Sequence, residues 1–110
     1  MSFDDQMAQI YVGKYLLVGL TYMDSQGNTL RHEQFHGEIA SISPTEGLRI
    51  HLRGSRQGHD FVLPADLNAI SAAPPGDYHL KETQEVVKNP DLLGTWKVIL
   101  APPSSDPRLS

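Results

Sequence analysis

Five side chains that can carry positive charge sit close together: Arg49, His51 and Arg53 at alternate positions, then Arg56 and His59. At period two on an extended strand, the first three share one face. Guanidinium groups held on a rigid strand can grip a carboxylate or phosphate in a forked geometry. Arg49, His51, Arg53 and Arg56 are therefore the candidate binding residues. The competing reading is a solvated sheet face whose charges discourage edge-to-edge aggregation. Glu38 is placed to neutralise Arg53 across a hairpin, which favours that reading. No aromatic residue alternates with these cations, as a stacking platform for single-stranded nucleic acid would require.

Other chemistries have less to build on. His32 and His36 fall on one face of one strand, but four residues of extended chain separate them by roughly 13 Å. Two nitrogens on one zinc must each come within about 2.1 Å of it. The histidines are expected to be structural and to face solvent, with no metal site and no cofactor. The chain has no cysteine, which rules out disulfides, thiolate metal sites and a cysteine nucleophile. No G-x-S-x-G elbow occurs, and "GSRQGH" has neither the lysine of a P-loop nor a helix after it. No enzyme and no catalytic residue is expected.

The elements that position these residues follow from patterning. At 110 residues with 39% hydrophobic content, the chain is one domain's worth of globular sequence. "SFDDQMAQIY" spaces Phe3, Met7, Ile10 and Tyr11 as a helix face, with Ser2 and Asp5 as a capping pair. "KYLLVGLTYMD" is apolar on both faces and predicts a central strand covered on both sides. "DSQGN" is a turn. In "QFHGEIASIS", Phe35, Gly37 and Ile39 point one way and His36 and Glu38 the other, with Gly37 marking a bend or bulge. "LRIHLR" alternates Leu48, Ile50 and Leu52 inward against Arg49, His51 and Arg53 outward. Pairing Ser43 with Leu48 sets Ile39 opposite Leu52 and Glu38 opposite Arg53. Pairing Arg53 with Asp60 sets Leu52 opposite Phe61 and Ile50 opposite Leu63. Both hairpins then bury Ile39, Ile50, Leu52, Phe61 and Leu63 on one face. "LPADLNAISAA" predicts a one-turn helix and a short strand, "DYHLKETQEVV" a small hairpin, and "TWKVIL" a strand with Trp96, Val98 and Leu100 on one face.

That order predicts a mainly β fold: a small, bent SH3-like or Sm-like barrel with a short N-terminal helix and a C-terminal β extension. "GKYLLVGLTYMDSQGNTLRHEQFHGEIASIS" resembles the first part of an Sm-like domain, where an aliphatic strand runs into an acidic-Gly turn. The resemblance implies the fold. It does not carry RNA binding, because the loop that should supply Asp and Asn reads "SPTEG" here, and Arg53–Gly54 is only a two-letter match. "APPGDYHLKETQEVVKNPDLLGTWKV" resembles the end of a group of small bacterial proteins without assigned activity, which implies an extension anchored by Tyr78, Leu80 and Trp96.

The expected organisation is a single domain over residues 1–100: a helix at 2–12, a barrel core at 14–73 and an extension at 74–100. Residues 101–110 form a disordered Pro/Ser-rich tail. The formal net charge of −4 opposes polyphosphate binding by the whole domain. No apolar run reaches the ~20 residues needed to cross a bilayer, and "MSFDDQMAQI" lacks the regions of a signal peptide. A cytoplasmic protein with no membrane association follows. The expected function is protein interaction, through an exposed strand edge or the cationic stripe, with self-association possible. The alternative is a regulator that binds an anionic ligand or nucleic acid on the cationic face.

Overall fold

A computed structural model describes residues 5–81 and 83–100. Its one α-helix, α1, is Asp5–Tyr11. Ser2, Phe3 and the tail at 101–110 lie outside the described residues. The helix face differs from the expected one. Ala8 is buried and Tyr11 packs on the core, whereas Met7 and Ile10 are exposed. A helix of seven residues offers about two turns, and these turn the small Ala8 face toward the sheet.

Eight strands follow: β1 Tyr15–Asp24, β2 Thr29–Ser43, β3 Gly47–Leu52, β4 Asp60–Leu63, β5 Ile70–Ala72, β6 Asp77–His79, β7 Val86–Lys88 and β8 Leu92–Leu100. Six form one sheet in the order β4-β3-β2-β1-β8-β5, and β6 and β7 form a separate hairpin. The fold is mainly β, but the sheet is not closed into a barrel. In the expected barrel the short strand after the one-turn helix closes the sheet. Here that strand, β5, pairs only with β8, which lies parallel to β1 and separates the two. A side chain links β8 to the segment after the β4 end of the sheet: Trp96 Nε1 donates to the Pro64 carbonyl at 3.2 Å.

The inward-facing residues are those the alternation predicts. Ile39, Ile50, Leu52 and Leu63 are buried in one cluster with Leu16, Val18, Leu20 and Trp96, and Phe61 packs against it. The registers differ from the expected ones. The β2–β3 loop has three residues, because Gly47 takes the left-handed conformation (φ +86°) and pairs with Ser43. That shift alone would set Ile39 opposite His51. A bulge at Ala40 restores parity and pairs Ile39 with Ile50. In the second hairpin His51, not Arg53, pairs with Asp60. The Arg53 amide instead donates to the His36 carbonyl at 2.8 Å, which ties Arg53 to β2. A shift of two residues keeps every face, so the core survives it.

Gly37 is not a bulge, since the ladder runs through it without a register shift. It pairs with Leu52, and a Cβ there would collide with the His51 carbonyl. The glycine lets two backbones approach closely.

The β6–β7 hairpin covers the outer face of the sheet. Leu17, Leu80 and Val87 form a second buried cluster, with Tyr15, Tyr78 and Leu93 around it. Tyr78 and Leu80 thus anchor this layer, whereas Trp96 belongs to the main core. No helix among the described residues is long and apolar enough to cross a membrane.

Candidate functional site

Arg49, His51 and Arg53 lie exposed along the outer face of β3 and its end, and Arg56 sits in the one-turn helix Gly54–Arg56. Each has an acidic neighbour. His51 Nδ1 meets Asp60 Oδ1 at 2.7 Å, and Arg49 reaches the other oxygen of Asp60 at 3.6 Å. Arg53 is hydrogen-bonded to Glu38 although the two are not directly paired in the ladder. Arg56 approaches Glu33 at 3.9 Å and lies over the Phe35 ring. The hydrogen bond from His51, with help from Arg49, holds the Asp60 carboxyl below the usual carboxylate range, and Glu38 raises Arg53. The stripe is therefore a mixed-charge surface, with no excess of positive charge to draw in a polyanion.

The β3–β4 turn opens beside this stripe as a cleft of about 300 Å³, lined by His51, Arg53, Gly58, His59 and Asp60. Next to it runs β4, an edge strand with β3 as its one neighbour. The Leu52 amide donates to the His59 carbonyl. By antiparallel alternation His59, Phe61 and Leu63 turn their backbone groups toward β3, and Asp60 and Val62 turn theirs outward. The Val62 side chain is 46% exposed.

His36 does not face solvent as the alternation suggests. Its strand face is right, but the β6–β7 layer lies over it, and the residue is 7% exposed. Tyr15 Oη lies 2.6 Å from His36 Nδ1, and His36 Nε2 lies 2.9 Å from Glu85 Oε1. Burial keeps the Tyr15 phenol above its ordinary pKa against the opposing pull of Arg53, while Glu38 and Glu85 push it up further. The Glu85 carboxylate can only accept, so His36 Nε2 donates to it, and the protonated phenol can donate to Nδ1 in the tautomer that leaves that nitrogen free. Glu85 also accepts from the Ser55 amide and from Thr83 Oγ1. Burial raises the Glu85 carboxyl, but the bonds from His36, Ser55 and Thr83 outweigh it and hold the carboxyl low. Gly54 makes room for this arrangement, since a Cβ there would strike Glu85 and His36 Nε2. With both ring nitrogens engaged and little access, His36 pins the hairpin to the sheet. The signal missed in the sequence is Glu85, which lies 49 positions away.

His32, four residues before His36, is exposed and bonded to Thr21 at 3.1 Å. Among the described residues no three His, Asp or Glu side chains gather as a metal site would require.

These features define a class: a single open β-sheet, covered on one face by a hairpin, with a mixed-charge edge and a pinned buried histidine. Compared with known proteins, the chain matches no family model, no curated protein and no solved structure.

Proposed function

We propose that this protein is a non-enzymatic interaction module that receives an extended segment of a partner protein on the open edge of β4. The observation that carries this reading is the edge itself. β4 offers the outward backbone groups of Asp60 and Val62 and runs directly into the cleft lined by His51, Arg53 and His59. In strand addition, main-chain bonds supply affinity and neighbouring pockets read alternate side chains. Two other long free edges are present among the described residues: Thr29–Gln34 of β2, where Arg31, His32 and Glu33 supply the charges that usually blunt an edge, and Thr95–Leu100 of β8, beyond the three residues that pair with β5; neither runs into the cleft beside the mixed-charge face. β4 carries one charge, Asp60, which is already engaged by His51 and Arg49, followed by the apolar pair Phe61–Val62.

The paired state of Arg49, His51 and Arg53 supports a protein partner over a polyanion, because both signs of charge alternate on the surface that flanks the edge. The engaged ring of His36 supports a binding role over catalysis. The SH3-like and Sm-like resemblance, drawn over residues 2–72, is compatible with the antiparallel β1–β4 meander within that span. The proposed setting is the cytoplasm.

The test places a photo-crosslinking amino acid at position 62 in the full chain, in cells. A discrete adduct with one protein is expected. Val62→Pro removes the outward N–H, which an edge position tolerates, and Val62→Lys charges the edge; both should abolish copurification of that protein without changing the melting curve. Retention of the partner by both folded variants, or no adduct from position 62, overturns the proposal.

A further inference from the structure

A second cleft, of about 390 Å³, lies where the β6–β7 hairpin ends and the outer face of the sheet is left uncovered. We infer that this cleft is a binding site for a small oxyanion, a ligand bearing a phosphate or carboxylate group.

Its floor is made by a glycine. On β1 the outward residues run Tyr15, Leu17, Gly19 and Thr21. The first two lie under the hairpin. At Gly19 the cover stops, and a Cβ built there would meet nothing within 4 Å. The glycine is needed neither for a left-handed backbone nor for a tight approach, so its missing side chain is itself the space. Gln34 and Thr95 flank it in the ladder, and His32 flanks Thr21. His79 and Lys81, from the hairpin, form the facing wall.

The polar groups of this lining are mostly donors. Gln34 Oε1 accepts from the Lys81 amide at 3.1 Å, which fixes the side chain and leaves its NH₂ to point elsewhere. His32 Nδ1 is engaged by Thr21, which leaves Nε2. The Lys81 ammonium has no carboxylate partner among the described residues. Glu33 also borders the cleft, but it pairs with Leu20 on the core-facing side of the sheet. Its carboxylate is taken there by Tyr22, Arg31 and Arg56. Lys97, opposite Thr21 on the other neighbour, adds a second ammonium on the same face. Ammonium, amide, imidazole and hydroxyl groups around a bare floor match the acceptor-only surface of a phosphate or carboxylate. The volume lies within the range of small-ligand sites. This cleft shares no residue with the β4 edge and stands independently of the function proposed for it.

The experiment is a ¹H–¹⁵N NMR titration of the full chain with inorganic phosphate and, separately, with succinate. Saturable shifts are expected on Gly19, Thr21, Gln34 and Lys81 with at least one probe, and the two arms show which group is preferred. Gly19→Val fills the floor at a strand position suited to a β-branched residue and should abolish the response while the spectrum stays folded. Lys81→Gln should weaken binding by about tenfold or more, the loss expected for one charge-assisted bond. Lys14→Gln, with the same change in net charge on an exposed site elsewhere, should leave affinity unchanged. No saturable shift with either probe, undiminished binding in Gly19→Val or Lys81→Gln, or equal loss in Lys14→Gln overturns the inference.

Discussion

Replacing Glu85 by glutamine tests whether the buried network holds the hairpin to the sheet. The carboxylate accepts from His36 Nε2 at 2.9 Å, from Thr83 Oγ1 at 3.1 Å and from the Ser55 amide. An amide keeps one acceptor oxygen. Its NH₂ must then face either the Ser55 amide, which can only donate, or the His36–Thr83 pair, which must rearrange to accept. All three bonds lose their charge assistance, and at least one is broken or reversed. A charge-assisted bond contributes about 1.5–3 kcal/mol when buried. Glu85 is 23% exposed at its side chain, so water offsets part of the loss and about 1.5–2.5 kcal/mol remains. For a domain of this size that lowers the melting temperature by roughly 6–11 °C. Trp96, the one tryptophan in the chain, is buried in the main core and reports unfolding by fluorescence in urea. The midpoint should fall with an unchanged m-value. Glu46→Gln, which removes a carboxylate from an exposed loop, should leave the midpoint where it is. A Glu85→Gln midpoint equal to that of the unaltered protein would refute the pinning role.

Further outcomes follow from the same geometry. Tyr15→Phe removes the hydroxyl 2.6 Å from His36 Nδ1 and should cost about 1 kcal/mol in the same urea assay. Gly37→Ala drives a Cβ into the His51 carbonyl and should cost more than about 3 kcal/mol or prevent folding, as read by thermal melting. Stability should also fall with acid. Asp24 is held low by hydrogen bonds from Asn28, Asp60 by its bond from His51, and Glu85 by the bonds that outweigh its burial. In the window between the lowered folded values and the ordinary unfolded ones, the unfolded chain binds more protons. Unfolding free energy therefore rises with pH there, and the contribution is lost as pH falls through the folded values. Urea midpoints measured from pH 7 down to about 3 should drop in the acid limb, and Glu85→Gln should drop less steeply.

The faces of the strands could be read from the sequence, and the registers could not. Alternation over 48–53 needs only the chain itself, and it put Ile50 and Leu52 inside and Arg49, His51 and Arg53 outside. Register depends on turn geometry. Gly47 shortens one loop, and the tie between Arg53 and the His36 carbonyl pulls the second hairpin by two residues. Barrel closure failed as an expectation for a non-local reason: nothing within "TWKVIL" says that it will lie parallel to β1 and displace β5. The burial of His36 was hidden in the same way, because its cover comes from Leu80, Glu85 and Val87 far along the chain. The second cleft had a local signal, a lone glycine in the otherwise apolar β1, but only the hairpin's end point shows that Gly19 lies just beyond cover.

Amide hydrogen exchange on the purified complex with the protein crosslinked from position 62 tests the edge directly. The account predicts that binding slows exchange at Val62 and Asp60, whose amides point away from β3, and leaves Thr21 and His32, which lie on β1 and β2 beside the second cleft, unchanged. Protection that appears around the β2 edge at Thr29–Gln34 while Val62 exchanges as fast as in the free protein would contradict it.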